Sequence, residues 1–236
     1  GGGKLKLSML PSTDRPLNIA HRGASRIAPQ NTLAAFEKAL EIGVDGVELD
    51  VRLCADGVPV VIHDATVDAT TDGGGPVAGM SLAQLRTLDA GGWFDPVFKG
   101  ERIPTLEEVL GTFGGRMVLN LELKGKRVMD HEVAPAVTAL LKQQKVQEKI
   151  LVSCFNPYLL RQVRRLAPAV PVGLLYAGSP FPTRYLATLL MGEQPAAIHP
   201  HYALVNEARV AHAHELGVRV NTWTVDDPEP MRALAS

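Results

Sequence analysis

The sequence predicts an α/β barrel of the (β/α)8 type. Three observations carry this: short apolar runs alternate with amphipathic stretches, two of those runs hide charges at every second residue, and the parallel runs number seven. The first run, Leu17–His21, precedes Asn31–Ile42, where Leu33, Phe36, Leu40 and Ile42 fall near helical spacing. Val47–Leu53 follows, then a turn at Asp56-Gly57 and a run at Pro59–His63, which together read as an antiparallel hairpin. Later strands are expected at Met117–Lys124, Ile150–Cys154, Val172–Tyr176, Ala196–His199 and Val218–Val225. Helices are expected between them near Glu132–Lys142, Tyr158–Leu166, Arg184–Met191 and Glu207–Leu216. With the hairpin arm counted as an extension of its neighbour, seven parallel strands remain where a closed barrel has eight, so the last strand is missing from this sequence. No Gly-x-Gly-x-x-Gly opens a helix after the first strand, which argues against a dinucleotide fold.

The 236 residues are 46% apolar, enough for one sizeable core. Residues 1–16 read as a tail or tag remnant and 17–236 as one barrel domain. Residues 64–104 break the rhythm. The stretches TTDGGGP and AGGWFDP are rich in turn formers around one short helix near Ser81–Leu88, as expected of an insertion lying over a site.

A formal net charge of −1 predicts no electrostatic grip on nucleic acid or on an anionic membrane. An anionic substrate would need a local cation. Two cysteines, Cys54 and Cys154, are too few for a secreted disulfide framework, and no apolar stretch approaches the roughly 18 residues of a membrane span. A cytoplasmic protein without a stable membrane anchor is expected.

In GVELDVRL, Val47, Leu49, Val51 and Leu53 share one face of a strand while Glu48, Asp50 and Arg52 share the other. The flanking helical pattern covers the apolar face, so the charged face must point into the barrel. In VLNLELK, Asn120, Glu122 and Lys124 likewise share a face. Three carboxylates aimed at one interior repel one another unless a cation or protons neutralise them. An oxygen-rich set of Glu48, Asp50 and Glu122 suits a hard divalent cation such as Mg²⁺ or Ca²⁺. The competing reading is a structural salt-bridge network in which Arg52 and Lys124 offset the acids. His21 ends the first strand and His63 ends the hairpin arm, roughly level with Asp50. Two imidazoles beside three carboxylates, at the strand ends where such barrels hold their sites, suit proton transfer near neutral pH. His199 and His201 are expected to pack or bond at the rim, and His212 and His214 to lie on a helix surface.

These pieces give the chain a resemblance to the glycerophosphodiester phosphodiesterase family. It is carried by HRG at 21–23, QNTLAAFEKAL at 30–40, GVELDVRLCADGVPVVIHD at 46–64, ERIPTLEEVL at 101–110, LNLELK at 119–124 and VNTWTVDD at 220–227. The resemblance implies a phospholipase-C-like barrel phosphodiesterase that releases sn-glycerol 3-phosphate and an alcohol from a small glycerophosphodiester. It places the metal on Glu48, Asp50 and Glu122, the acid-base pair on His21 and His63, and phosphate contacts on Arg22 and Lys124. It also sets Trp223 near the glycerol side of the pocket. The chain departs from the family pattern in three places. Gln30-Asn31-Thr32 stands where the family has Glu-Asn-Thr, Ala69-Thr70-Thr71 stands where it has Arg-Thr-Thr, and its final Thr-Asp strand is absent. The rival readings are a lysophospholipase D-like lyase that forms a cyclic phosphate, and a non-catalytic barrel that binds ligand only.

Overall fold

The computed structural model describes residues 15–125, 132–145, 149–177, 192 and 194–235. Most of the expected tail, and the helix expected at 184–191, lie outside the described residues. Seven parallel strands run in sequence order across one sheet: β1 (Ile19–His21), β2 (Gly46–Leu53), β4 (Val118–Leu123), β5 (Ile150–Cys154), β6 (Val172–Tyr176), β7 (Ala197–Pro200) and β8 (Arg219–Val220). β3 (Pro59–Val61) stands off this path, antiparallel to β2. Among the described residues no strand joins β8 to β1. This is the sheet of a (β/α)8 barrel with seven of its eight strands.

The helices are α1 (Leu33–Ile42), the single-turn α2 (Leu82–Leu85), α3 (Leu106–Phe113), α4 (Val133–Gln143), α5 (Pro157–Leu166), α6 (Glu207–Glu215) and α7 (Pro228–Ala235). Local chemistry sets their ends. Thr32 caps α1 by accepting from the Ala35 N–H, and Gly43 closes it in the left-handed region at φ 83°. Thr105 and Glu108 form a reciprocal capping box that starts α3. That box was the available signal for a helix the apolar spacing had not suggested. Ser81 and Gln84 form another, yet α2 ends at Leu85, short of the expected Leu88.

Period two decides what each strand buries. Val47, Leu49 and Val51 are fully buried with Leu119, Leu121 and Leu123, under Phe36 of α1 and Val109 and Phe113 of α3. The opposite faces of β2 and β4 enter the barrel. At the N-terminal end of the strands, Val118 meets Leu151 and Ile19 in a small apolar plug. Gly46 borders this plug, where an added Cβ would lie 2.4 Å from the Val118 carbonyl oxygen and 2.6 Å from its Cβ. Both contacts are rigid. Gly46→Ala is therefore expected to destabilise the protein by about 1–3 kcal/mol, as overpacking does, measured by urea denaturation.

The segment from 64 to 104 does more than cover. Val67, Val77, Leu85, Ala90 and Ile103 form a second core with Cys54, Val60 and Ile62, which anchors it to the back of the hairpin. The hairpin register also corrects one expectation. Val51 faces Val61, and the Ile62 N–H donates to the Asp50 carbonyl at 2.9 Å, so Ile62 is level with Asp50 and His63 stands one residue further on. Where the chain leaves the ladder, the Arg52 guanidinium holds the His63 carbonyl at 2.9 and 2.7 Å. β8 is likewise shorter than the expected 218–225. Its continuation still bonds alongside β7, with the Asn221 N–H on Ile198 and the Trp223 N–H on Pro200.

Candidate active site

The C-terminal ends of β1, β2 and β4 bring the charged residues together. Asp50 and Glu122 are direct partners across the β2–β4 ladder, and His21 pairs with Glu48 across β1–β2. Glu48, Asp50 and Glu122 each offer one oxygen, all within 4.8 Å of one another, and all three residues are buried. Burial, followed by repulsion from Asp50 and Glu122, lifts the Glu48 carboxyl well above the usual carboxylate range. Burial also raises Glu122, against the pull of Lys124. For Asp50, burial pushes upward, but Lys124, Arg22 and Asn31 outweigh it and hold the group below its ordinary value.

Fixed donors orient the acids. Lys124 Nζ lies 2.8 Å from Asp50 Oδ1 and also holds Glu122. Asn31 donates to Asp50 Oδ2 at 2.7 Å and takes the Asp50 N–H at 3.2 Å. The Arg22 N–H donates to Glu48 Oε2 at 3.1 Å. Glu48 Oε1 is left buried without a hydrogen-bond partner. An orphaned buried carboxylate oxygen in an all-oxygen cluster fits a hard divalent cation. The lysine does not remove this fit. It serves two of the acids and leaves that third oxygen unmatched.

Both imidazoles sit at the rim of this cluster. His21 Nε2 is 3.8 Å from Glu48 Oε2. Burial, and then the neighbouring Arg22 cation, lowers its pKa to about 4, so the ring is neutral at neutral pH. His63 Nδ1 is 2.7 Å from Asp64 Oδ1. A carboxylate only accepts, so Nδ1 donates there and Nε2 is the ring nitrogen left for proton exchange. Arg22 adopts φ 59° at the tip of the β1 turn; its Nε lies 3.4 Å from Asp50 Oδ2, and a terminal nitrogen donates to Gln30 Oε1 at 2.6 Å. Trp223 anchors its indole N–H on the His199 carbonyl at 2.7 Å, between the Phe155 and His201 rings. His199 is buried and His201 stacks near Tyr202, as the strand-end reading expected; His212 pairs with Glu215 on the exposed face of α6.

The structure adds three contributions to the site. Asn31 is a bracket for Asp50, and the signal was a polar residue that tolerates the left-handed backbone, here at φ 59°. Gln30, a departure at a position the family resemblance ties to the placing of Arg22, keeps an acceptor for Arg22 through its amide oxygen. Trp93 and Phe94, from the turn-rich AGGWFDP stretch, line a cleft of about 370 Å³ together with His21, Arg22, Ser25 and Gln30. Aromatic residues placed among glycines and a proline, where no strand or helix could bury them, were the clue.

A parallel barrel with an acidic cluster, two imidazoles and two cations at the C-terminal strand ends defines a phosphodiester-processing class of site. The model of the glycerophosphoryl diester phosphodiesterase family matches residues 21–236, and the chain belongs to that family. It is 39% identical over 221 residues to a glycerophosphodiester phosphodiesterase of Caldanaerobacter subterraneus subsp. tengcongensis, covering 93% of this chain and 90% of that protein. Among solved structures it is similar to an Oleispira antarctica phosphodiesterase in complex with the product sn-glycerol-3-phosphate, at 35% identity and a TM-score of 0.84, covering 93% of this chain and 89% of that one. A glycerophosphodiester phosphodiesterase of Agrobacterium tumefaciens shows 32% identity and a TM-score of 0.77 over 92% of this chain and 90% of its own. No helix among the described residues is long and apolar enough to cross a membrane.

Proposed function

We propose that this chain hydrolyses glycerophosphodiesters to sn-glycerol 3-phosphate and an alcohol, with a Mg²⁺ or Ca²⁺ ion on Glu48, Asp50 and Glu122 and with His21 and His63 as the acid-base pair. The observation that carries this reading is the buried trio of carboxylates beside two imidazoles at the barrel mouth. The relatives' names and the product held by the Oleispira antarctica enzyme support the substrate class. When bound, the cation supplies a Lewis acid for a phosphate oxygen. Arg22 and Lys124 offer donors for the charge on the other phosphate oxygens. His21 and His63 serve as the pair, one taking a proton from the nucleophile and one returning a proton to the leaving alkoxide. Trp223 contributes an aromatic wall for the glycerol backbone. The cleft under Trp93 and Phe94 receives the alcohol.

The test is phosphorus NMR of reactions with glycerophosphocholine and with a lysolipid, each with and without EDTA. Glycerophosphocholine is expected to give sn-glycerol 3-phosphate with the cation present and nothing after chelation. Turnover untouched by EDTA would remove the cation from the reading. A cyclic phosphate as the end product would make the protein a lyase, and no product under any condition would leave a barrel that only binds.

A further inference from the structure

Arg22 is a cation of the site held in part by a neutral side chain. Its backbone N–H is fixed on Glu48 and its Nε lies against Asp50, but one terminal nitrogen ends on the amide oxygen of Gln30 at 2.6 Å. A guanidinium only donates, so it is the oxygen of the Gln30 amide that faces it. Gln30 also lines the open cleft beside His21, Trp93 and Phe94. An amide in that position orients the guanidinium without neutralising it.

Around the acidic cluster, three carboxyl groups face two cations, Arg22 and Lys124. A carboxylate at position 30 would add one unit of negative charge beside Arg22. The site has to hold ligands of opposite sign, a divalent cation and a phosphate anion, so one unit of charge beside Arg22 moves their affinities in opposite directions. We propose that Gln30 is a positioning residue that sets this balance: it holds Arg22 toward the phosphate position by a neutral hydrogen bond, strengthening the anion's hold at the expense of the cation's. This deepens the phosphodiesterase reading and rests on it.

Two variants test the idea by calorimetric titration, first with Ca²⁺ on metal-free protein and then with sn-glycerol 3-phosphate on Ca²⁺-saturated protein. Gln30→Glu keeps an acceptor for Arg22 and adds one charge. It is expected to bind Ca²⁺ roughly tenfold more tightly and sn-glycerol 3-phosphate roughly tenfold more weakly, the scale of a unit charge a few ångströms away at the water-like dielectric of an open cleft. Gln30→Leu removes the acceptor without changing charge. It is expected to lose anion affinity roughly tenfold, the worth of a hydrogen bond to a charged group, with Ca²⁺ affinity unchanged and KM raised more than kcat is lowered. Opposite movement of the two ligands in Gln30→Glu is a result no merely structural role gives. Shifts in the same direction, or none, overturn the proposal, as does full anion affinity in Gln30→Leu. Wild-type protein that binds neither ligand would overturn the phosphodiesterase reading itself.

Discussion

His63→Ala and His21→Ala are each expected to lower kcat on glycerophosphocholine by about 10²–10⁴-fold, the usual worth of a positioned acid or base. Their Ca²⁺ affinity is expected to stay near that of the wild type. The separation follows from geometry. Neither imidazole belongs to the three-oxygen cluster; His21 Nε2 is 3.8 Å from Glu48 Oε2, and His63 is engaged with Asp64. Removing a ring therefore takes away a proton carrier and leaves the carboxylates in place. Stopped assays for kcat with parallel calorimetric Ca²⁺ titrations check both halves. Near-normal turnover in either variant would exclude that histidine from proton transfer. A matching collapse in Ca²⁺ affinity would make it part of the metal cradle. The double variant should lose little beyond the worse single one if the two rings act on the same transition state.

The parts of this site that sequence made legible are those governed by period two. In β2 and β4, charges at alternate positions inside apolar runs have one physical solution once helices cover the apolar face: the charges enter the barrel. The structure places Glu48, Asp50 and Glu122 there together. Strand order was equally readable, because short connections leave sequential neighbours adjacent. What stayed hidden depends on backbone conformation at single residues. Arg22 and Asn31 both take positive φ, which turns the chain between β1 and α1 back over the cluster and lets Asn31 reach Asp50. No pattern of hydrophobicity encodes that turn. The one-residue error at His63 has the same origin. A register counted from a two-residue Asp56-Gly57 turn sets His63 opposite Asp50, whereas the ladder pairs Leu53 with Pro59 and Val51 with Val61, which centres the turn on Asp56. The 64–104 segment was read as a covering loop because its turn formers dominate. Its sparse apolar residues are spaced for no regular element, yet they converge on the hairpin as a second core.

Acid sensitivity is the second large effect, and His199 carries a separable share of it beside His21. The His199 ring is buried against Gly173, where an added Cβ would come within 2.3 Å of its Nε2, and that nitrogen meets the Asn221 amide at 2.9 Å. An amide nitrogen donates, so Nε2 must accept, and a protonated ring would set two donors face to face. Burial lowers the pKa to about 3, far below the value near 6.5 of an unfolded histidine. The sign follows directly. At pH 7 the ring is neutral in both states and contributes no pH dependence. As pH falls below about 6.5 the unfolded chain takes up a proton that the native protein refuses, so stability drops and continues to drop until the pH nears 3. Between pH 7 and pH 4 this single group is expected to remove about 3 kcal/mol of stability. His199→Gln keeps a side chain that can accept from Asn221 but cannot titrate. Urea denaturation of both proteins across that range isolates the difference: the wild-type curve should fall about 3 kcal/mol further than the variant's. Parallel curves would mean that His199 takes up its proton in the folded state, with Asn221 turning its amide oxygen to meet it.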